Sequence, residues 1–479
     1  MYQNYGLFIN GKWRPAQDGG TAPVYSPVSE TPLGDAPSAT RADTEEAVHA
    51  ASRAMSEWRE KTAFARADTL HAVADEMTRR AEEAVRVISA ETGKPLAQSR
   101  REWEILSIDQ FRWYAEEARR IHGQTIESRA PGGRIEVSLE PVGVCAAFTA
   151  WNFPAVLPAR KIAPALAAGC AIVLRPSSQT PGSAMILIDC IRAAGVPDGL
   201  VNLVVGATDA TYAPLMESPV VRKVSLTGST RVGQQMLRDA AATVKKASME
   251  LGGNAPLIVF EDADLETALN TTAAAKFANA GQVCVAPDRL YVHESLHDDF
   301  VAGLVARAKA LKLGDGMDES VQMGPLIKAR RLEETESVVA DALAAGAKVR
   351  CGGGRASGFN AGHFFEPTVI SDAPDSARVL AEENFSPVAA VTPFADAEDA
   401  YRRANDSDVG LAAYAFTRSP GRAREVVEAL HSGMVGVNSA ALACAEAPFG
   451  GTKFSGMGRE GGREALLDHM ETKLAQVAF

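Results

Sequence analysis

The sequence predicts an α/β protein with two doubly wound domains and a small β-arm. Residues 142–250 alternate short apolar runs with helical stretches, as repeated βα units around a parallel sheet do. A second alternating region covers about 253–450. Two further segments, 133–140 (GRIEVSLE) and the C-terminal KLAQVAF, read as strands outside both blocks, and exposed strands of that kind join a sheet edge. At about 100–200 residues per domain, 479 residues allow two or three domains.

The elements follow in order. LFINGKWR (7–14) predicts a hairpin turning at Asn10-Gly11. Helices are expected near 43–58, 63–91 and 97–121, the first capped at Asp43 and followed by acidic residues. VGVCAAFTA, AIVLRP, LVNLVV, KVSLTG and KKASMEL are the strands of the first block. Helices near 155–168, 182–195, 209–217 and 230–242 separate them. The second block opens with APLIVF, a helix near 264–279 and the turn Gly281-Gln-Val-Cys284. Its later strands are FFEPTVI, PVAAVTPF, AAYAFT and MVGVN, and 463–479 is a helix followed by a strand.

Composition excludes several function classes. Lys+Arg 49 against Asp+Glu 60 leaves a net charge of −11, without the basic surface that nucleic acid or anionic membrane requires. The longest apolar stretch, 162–174, is broken by Pro164 and Gly169 and is shorter than the roughly 18–20 residues of a membrane helix. No leader peptide is expected from MYQNYGLFING. The six cysteines show no CxxC spacing and read as reduced thiols of a cytoplasmic protein.

Two motif matches carry little weight. His293-Glu-Ser-Leu-His297 fits the HExxH zinc pattern, but LYV runs into His293 as a strand and the helix begins after it, so no metal site is expected. Gly456-Met-Gly458-Arg-Glu-Gly461 fits GxGxxG without an apolar strand before it, and reads as a loop or helix start.

Four short segments carry chemistry. Cys284 follows a helix ending at 279–281, where substrate can reach a thiol; a buried structural cysteine is the alternative. Glu250 ends an apolar strand before two glycines, where parallel sheets hold their sites; a solvated strand-end acid is the alternative. Asn152 follows the first βα strand, and its amide can donate to an oxyanion or satisfy a turn. Gly228-Ser229-Thr230 joins a strand to a helix, a setting that suits a pyrophosphate.

In order, FTAWNFP, LTGST, MELGG, GQVC, EENFSP and PFGGTKFSG resemble the aldehyde dehydrogenase superfamily from about 140 to 460. The resemblance implies NAD(P)-dependent oxidation of an aldehyde to a carboxylate through a cysteine thioester. It implies a Rossmann-like NAD(P)-binding domain (1–122 and 142–252), a catalytic domain (253–462) and an oligomerisation arm with tail (123–141 and 463–479). Homodimers or homotetramers are implied as well. Cys284 matches the nucleophile, Glu250 the general base, Asn152 the oxyanion donor and Lys161 a proton-relay lysine. Thr149, Trp151, Gly228, Ser229 and Leu251 match cofactor contacts, with Glu383 on the nicotinamide ribose and Phe385 beside the ring.

Departures from the family pattern bear on specificity. Where NAD-preferring members have Lys-Pro-x-Glu, this chain has Arg175-Pro-Ser177-Ser178. Ser178 removes a carboxylate that would repel a 2′-phosphate, and Arg175 adds a planar cation, which favours NADP over NAD. Arg160, in PARK, resembles the arginine of succinate-semialdehyde enzymes, with Phe153 and Cys444 as further substrate contacts. A second arginine of that branch is replaced by Ala278, and a serine by Cys444. The expected substrate is a carboxylate-bearing semialdehyde, succinate semialdehyde first. α-Ketoglutarate or glutarate semialdehyde, a broad aldehyde range, or a non-catalytic protein on this fold are the alternatives.

Overall fold

The computed structural model describes residues 2–478. An eight-stranded sheet has at its centre five parallel strands in the order 201–203, 171–175, 144–148, 221–227 and 246–250. The strand Val144–Phe148 is buried along its whole length, as a strand covered on both faces must be. Antiparallel strands close the edges: the predicted hairpin, Leu7–Ile9 with Lys12–Arg14, on one side and Gly456–Met457 on the other. Asn10 and Gly11 both take positive φ, the geometry a two-residue hairpin needs. Helices from 41–118 pack on this sheet and share its core, Trp58, Trp103 and Phe111 included.

A seven-stranded sheet runs 348–351, 368–371, 388–394, 287–293, 255–259, 412–416 and 434–437, parallel except at 348–351. Two apolar clusters flank it. The arm is a third sheet. Met470–Ala478 pairs antiparallel with Gly133–Pro141, which pairs with Gln124–Glu127. Leu474, Val477 and Ile126 are exposed on it. The last tail residue, 479, lies outside the described residues. No helix among the described residues is long and apolar enough to cross a membrane.

Several boundaries differ from the sequence reading. The first helix is Arg41–Glu60 and Thr40 is its cap; Asp43 is the third helical residue, whose carboxylate accepts from the Thr40 N–H in return. The 63–91 stretch breaks at Arg80 into two helices. The 97–121 stretch holds a π-helical turn, Arg101–Ser107, between two α-helical pieces. The helix near 264–279 ends at Phe277, because Asn279 (φ 48°) and Ala280 (φ 54°) are left-handed. Of FFEPTVI (364–370) only its last three residues lie in the strand Thr368–Ser371. The helix Ala329–Ala344 was not anticipated; its many charges conceal the buried face of Leu332, Thr335, Val338, Val339 and Ala342. His293 ends a strand and caps the next helix, its Nδ1 accepting from the Ser295 N–H at 3.3 Å, so the HExxH match is a strand-to-helix junction.

Candidate active site

A cavity of about 340 Å³ lies between the two large sheets. The first sheet brings the carboxyl ends of its strands. Trp151 and Asn152 follow Val144–Phe148, Gly228 and Ser229 follow Val221–Thr227, and Glu250 closes Lys246–Glu250. The second sheet brings the segments that enter its strands. Cys284 precedes Pro287–His293, and Glu383 with Phe385 precedes Val388–Phe394. Residues more than 230 positions apart therefore line one cleft, joining Trp151, Asn152, Phe153, Arg160, Gly228, Ser229, Glu250, Leu251, Cys284, Glu383 and Phe385.

Cys284 is half-buried on the wall of this cavity. Burial, then the charges of Glu383 and Glu250, push its thiol up to about 12. The open face on the cavity makes that desolvation partial in water. Glu250 is buried, and its Oε2 has no hydrogen-bond partner. Burial, then the neighbouring Glu460 carboxylate, hold it well above the usual carboxylate range; Lys161, Arg160 and Arg459 act against them. Lys161 and Glu460 form a buried ion pair. The free Oε2 of Glu250 and the free Oε2 of Glu460 leave acceptor capacity for a water or substrate proton.

Asn152 is buried, and its Nδ2 donates to the Gln282 carbonyl at 3.1 Å. An amide nitrogen carries two N–H bonds, so one remains for the cavity. Arg160 is 4% exposed and lines the cavity with no ion pair among the described residues. Its Nε has no hydrogen-bond partner, and its guanidinium lies 4.3 Å from the Phe449 ring centre. Apolar walls from Leu106, Phe153, Val156, Leu157, Val283 and Phe449 surround it.

The cofactor side fits a dinucleotide. Ser229 caps the helix Thr230–Ala241 without using its side chain, leaving first-turn N–H groups for a phosphate. Buried Thr149 Oγ1 and Thr227 Oγ1 have no partner. Glu383 accepts from the Gly253 N–H at 3.1 Å, and a Cβ on Gly252 would lie 2.5 Å from its other oxygen. Burial first, then the Asp288 charge, raise Glu383 to about 7; its side chain still faces solvent in the cleft, which softens the effect. Trp151 and Phe385 meet edge to face at 5.6 Å. Arg175 donates weakly to Thr211 Oγ1 and the Gly206 carbonyl and, among the described residues, pairs with no carboxylate.

Not every expected residue lines the cavity. Thr149, Lys161, Arg175, Ser177, Ser178 and Cys444 do not, although Ala443 beside Cys444 does. Ser178 is exposed just beyond the Ala171–Arg175 strand. Glu460, Phe449 and Arg331 line it and were missed by sequence reasoning. Glu460 sits inside the GxGxxG match, where an acid beside Arg459 was the available signal. Arg331 donates to the Asn384 carbonyl at 2.7 Å and the Phe385 carbonyl at 3.1 Å, tying down a left-handed Phe385. Its sequence setting, ARRLEE, shows nothing of this.

A two-sheet fold with a cysteine, a buried acid and a dinucleotide cradle in one cleft defines a thiol-dependent dehydrogenase class. The family model "Aldehyde dehydrogenase family" matches residues 13–475, and the chain belongs to that family. It is an NAD(P)-dependent aldehyde oxidoreductase. It is 43% identical over 465 residues to the NADP(+) succinate-semialdehyde dehydrogenase GabD of Escherichia coli (strain K12), covering 97% of this chain and 96% of the relative. It is 44% identical to a 3-sulfolactaldehyde dehydrogenase of Pseudomonas putida, with 97% and 95% covered. The crystal structure of succinate-semialdehyde dehydrogenase from Burkholderia pseudomallei superposes with a TM-score of 0.97 at 42% identity, covering 99% of this chain and 98% of that one.

Proposed function

We propose that this enzyme oxidises an aldehyde carrying a distal carboxylate, succinate semialdehyde first, with NADP preferred over NAD. The observation that carries the substrate reading is Arg160: a buried guanidinium facing a cavity with mostly apolar walls, near Glu250 and Glu460 but ion-paired to no carboxylate among the described residues. Such a charge is satisfied by a ligand anion, and planar oxyanions suit its donor geometry. A sulfonate at the far end is the second reading, favoured by the 3-sulfolactaldehyde relative. Arg175 without a carboxylate partner and the exposed Ser178 support the NADP preference.

The thiolate of Cys284, its proton passed to Glu250, attacks the aldehyde carbonyl carbon, and the free N–H of the Asn152 amide receives the developing oxyanion. A nicotinamide cofactor held by Ser229, Glu383 and Phe385 would supply the hydride acceptor. A thioester on Cys284 results. Glu250, with its raised affinity for a proton, takes one from the water that hydrolyses the thioester. The unpartnered Glu460 Oε2, beside the Glu460–Lys161 ion pair, is the acceptor that would take that proton onward. Homo-oligomer formation through the apolar arm face of Ile126, Ile135, Val137 and Leu474, dimeric or tetrameric and cytoplasmic, completes the reading.

A panel of semialdehydes and equal-length neutral aldehydes, run with both cofactors, tests it. Carboxylated substrates should lead in kcat/KM, and Arg160→Leu should raise their KM by about 10- to 100-fold while sparing neutral ones. Equal effects on both classes refute the substrate reading. A strong NAD preference refutes the cofactor reading.

A further inference from the structure

A second buried ion pair stands outside the reacting groups. The Lys94 and Glu102 side chains are each 1% exposed and 2.5 Å apart. Lys94 Nζ also donates to the Asn152 carbonyl at 2.7 Å and lies 4.1 Å from the Phe153 ring centre. Glu102 Oε1 accepts from the Ala155 N–H at 2.8 Å and the Val156 N–H at 3.3 Å, where the helix after Asn152 begins. Glu102 belongs to the π-helical turn, and Ser107 Oγ donates to its carbonyl. A π turn shifts the helix face by a residue, a device frequent near functional sites.

The same segment grips the cysteine side. Gln98 Oε1 accepts from the N–H of left-handed Asn279, and Asn279 Nδ2 donates to the Asn152 carbonyl at 3.2 Å. Gln282, whose carbonyl anchors the Asn152 amide, is held by the Ile327 N–H on its Oε1. The Asn152 carbonyl is thus held by Lys94 and Asn279, and its side chain by Gln282 of the same turn as Asn279.

We propose that the Lys94–Glu102 pair is a positioning device that aims the Asn152 amide at the oxyanion. The inference rests on the reading of Asn152 as the oxyanion donor. Burying two charges is unfavourable unless every group is satisfied. Here the reward is placement: a donor that shifts by 1 Å loses about 10²-fold in rate. Lys94, Glu102 and Gln98 do not line the cavity, and they act on it through Asn152, Asn279 and the 153–156 backbone that follows Asn152.

A double-mutant cycle tests this. Lys94→Met and Glu102→Gln are each measured alone and combined with Asn152→Ala. Alone, each should lower kcat about 10- to 100-fold with little change in cofactor KM. In the Asn152→Ala background each should add less than about twofold. Alkylation of Cys284 by iodoacetamide, which forms no oxyanion, should keep its parent rate in both. Effects that multiply in the two backgrounds, or alkylation that falls with kcat, overturn the proposal. If Asn152→Ala alone leaves kcat unchanged, the oxyanion reading fails first and this one with it. Should Lys94→Met not fold, the isosteric Glu102→Gln arm decides alone.

Discussion

Two buried charge clusters lie near the same cavity, and they are built in opposite ways. In the Lys94–Glu102 cluster both carboxylate oxygens are occupied, and the ammonium has two acceptors and an aromatic face. In the Glu250–Lys161–Glu460–Arg160 cluster, Glu250 Oε2, Glu460 Oε2 and Arg160 Nε have no partner. A saturated cluster can only hold structure. An unsaturated one keeps donors and acceptors for molecules that come and go, and the cost is a destabilised free enzyme. The difference separates framework from chemistry more sharply than burial, since all six side chains are buried.

Substitutions can break or sharpen that contrast. The largest expected effect is in the open cluster. Glu250→Gln should slow steady-state turnover by about 10²- to 10⁴-fold while leaving a burst of one reduced cofactor per site, seen by stopped-flow absorbance. The same change should stabilise the free protein. The folded chain holds the Glu250 proton more tightly than the unfolded chain, so its contribution to stability is complete below pH 4.5 and is lost as pH rises through its raised value. Glu250→Gln should therefore melt higher than the parent at pH 8, the gap closing toward pH 4.5. A lower melting temperature at pH 8 contradicts the contrast.

A saturated site should respond the other way. Glu91, fully buried, accepts from the Gly182 and Ser183 N–H groups, Ser183 Oγ and Tyr2 OH. Glu91→Ala should cost about 3 kcal/mol in denaturant unfolding and leave kcat within about twofold. Smallest is the effect on the thiol. Its position near 12 predicts alkylation of the free enzyme rising about tenfold per pH unit from 7 to 9, without a plateau. Glu383→Gln removes a charge that raises the thiol, so alkylation at pH 8 should quicken by a few fold. A plateau below pH 8, or slower alkylation in the variant, refutes this electrostatic picture.

Much of the fold was legible because its strands are short, apolar and separated by ordinary helices. Val144–Phe148, Ala171–Arg175 and Ala412–Phe416 announce themselves through continuous burial. The missed features depend on tertiary partners. Nothing local in EWEILS signals a π turn; it carries Glu102, whose partners Lys94 and the Ala155 N–H come from other elements. Thr40 rather than Asp43 is the cap because a capping box uses both ends of the turn, and the acid is its more conspicuous half. In the site, residues with strong chemistry beside glycine or a turn, Cys284, Glu250 and Asn152, were visible. Arg331 and Glu460 were not, since each acquires its role from a neighbour more than 50 positions away.

The most direct test is to look for the acyl group on the sulfur. Glu250→Gln enzyme mixed with oxidised cofactor and succinate semialdehyde, quenched in acid and digested, should carry a succinyl mass on the peptide containing Cys284 and on no other. An unmodified Cys284 peptide after a full burst of reduced cofactor, or acylation at another residue, would contradict the account.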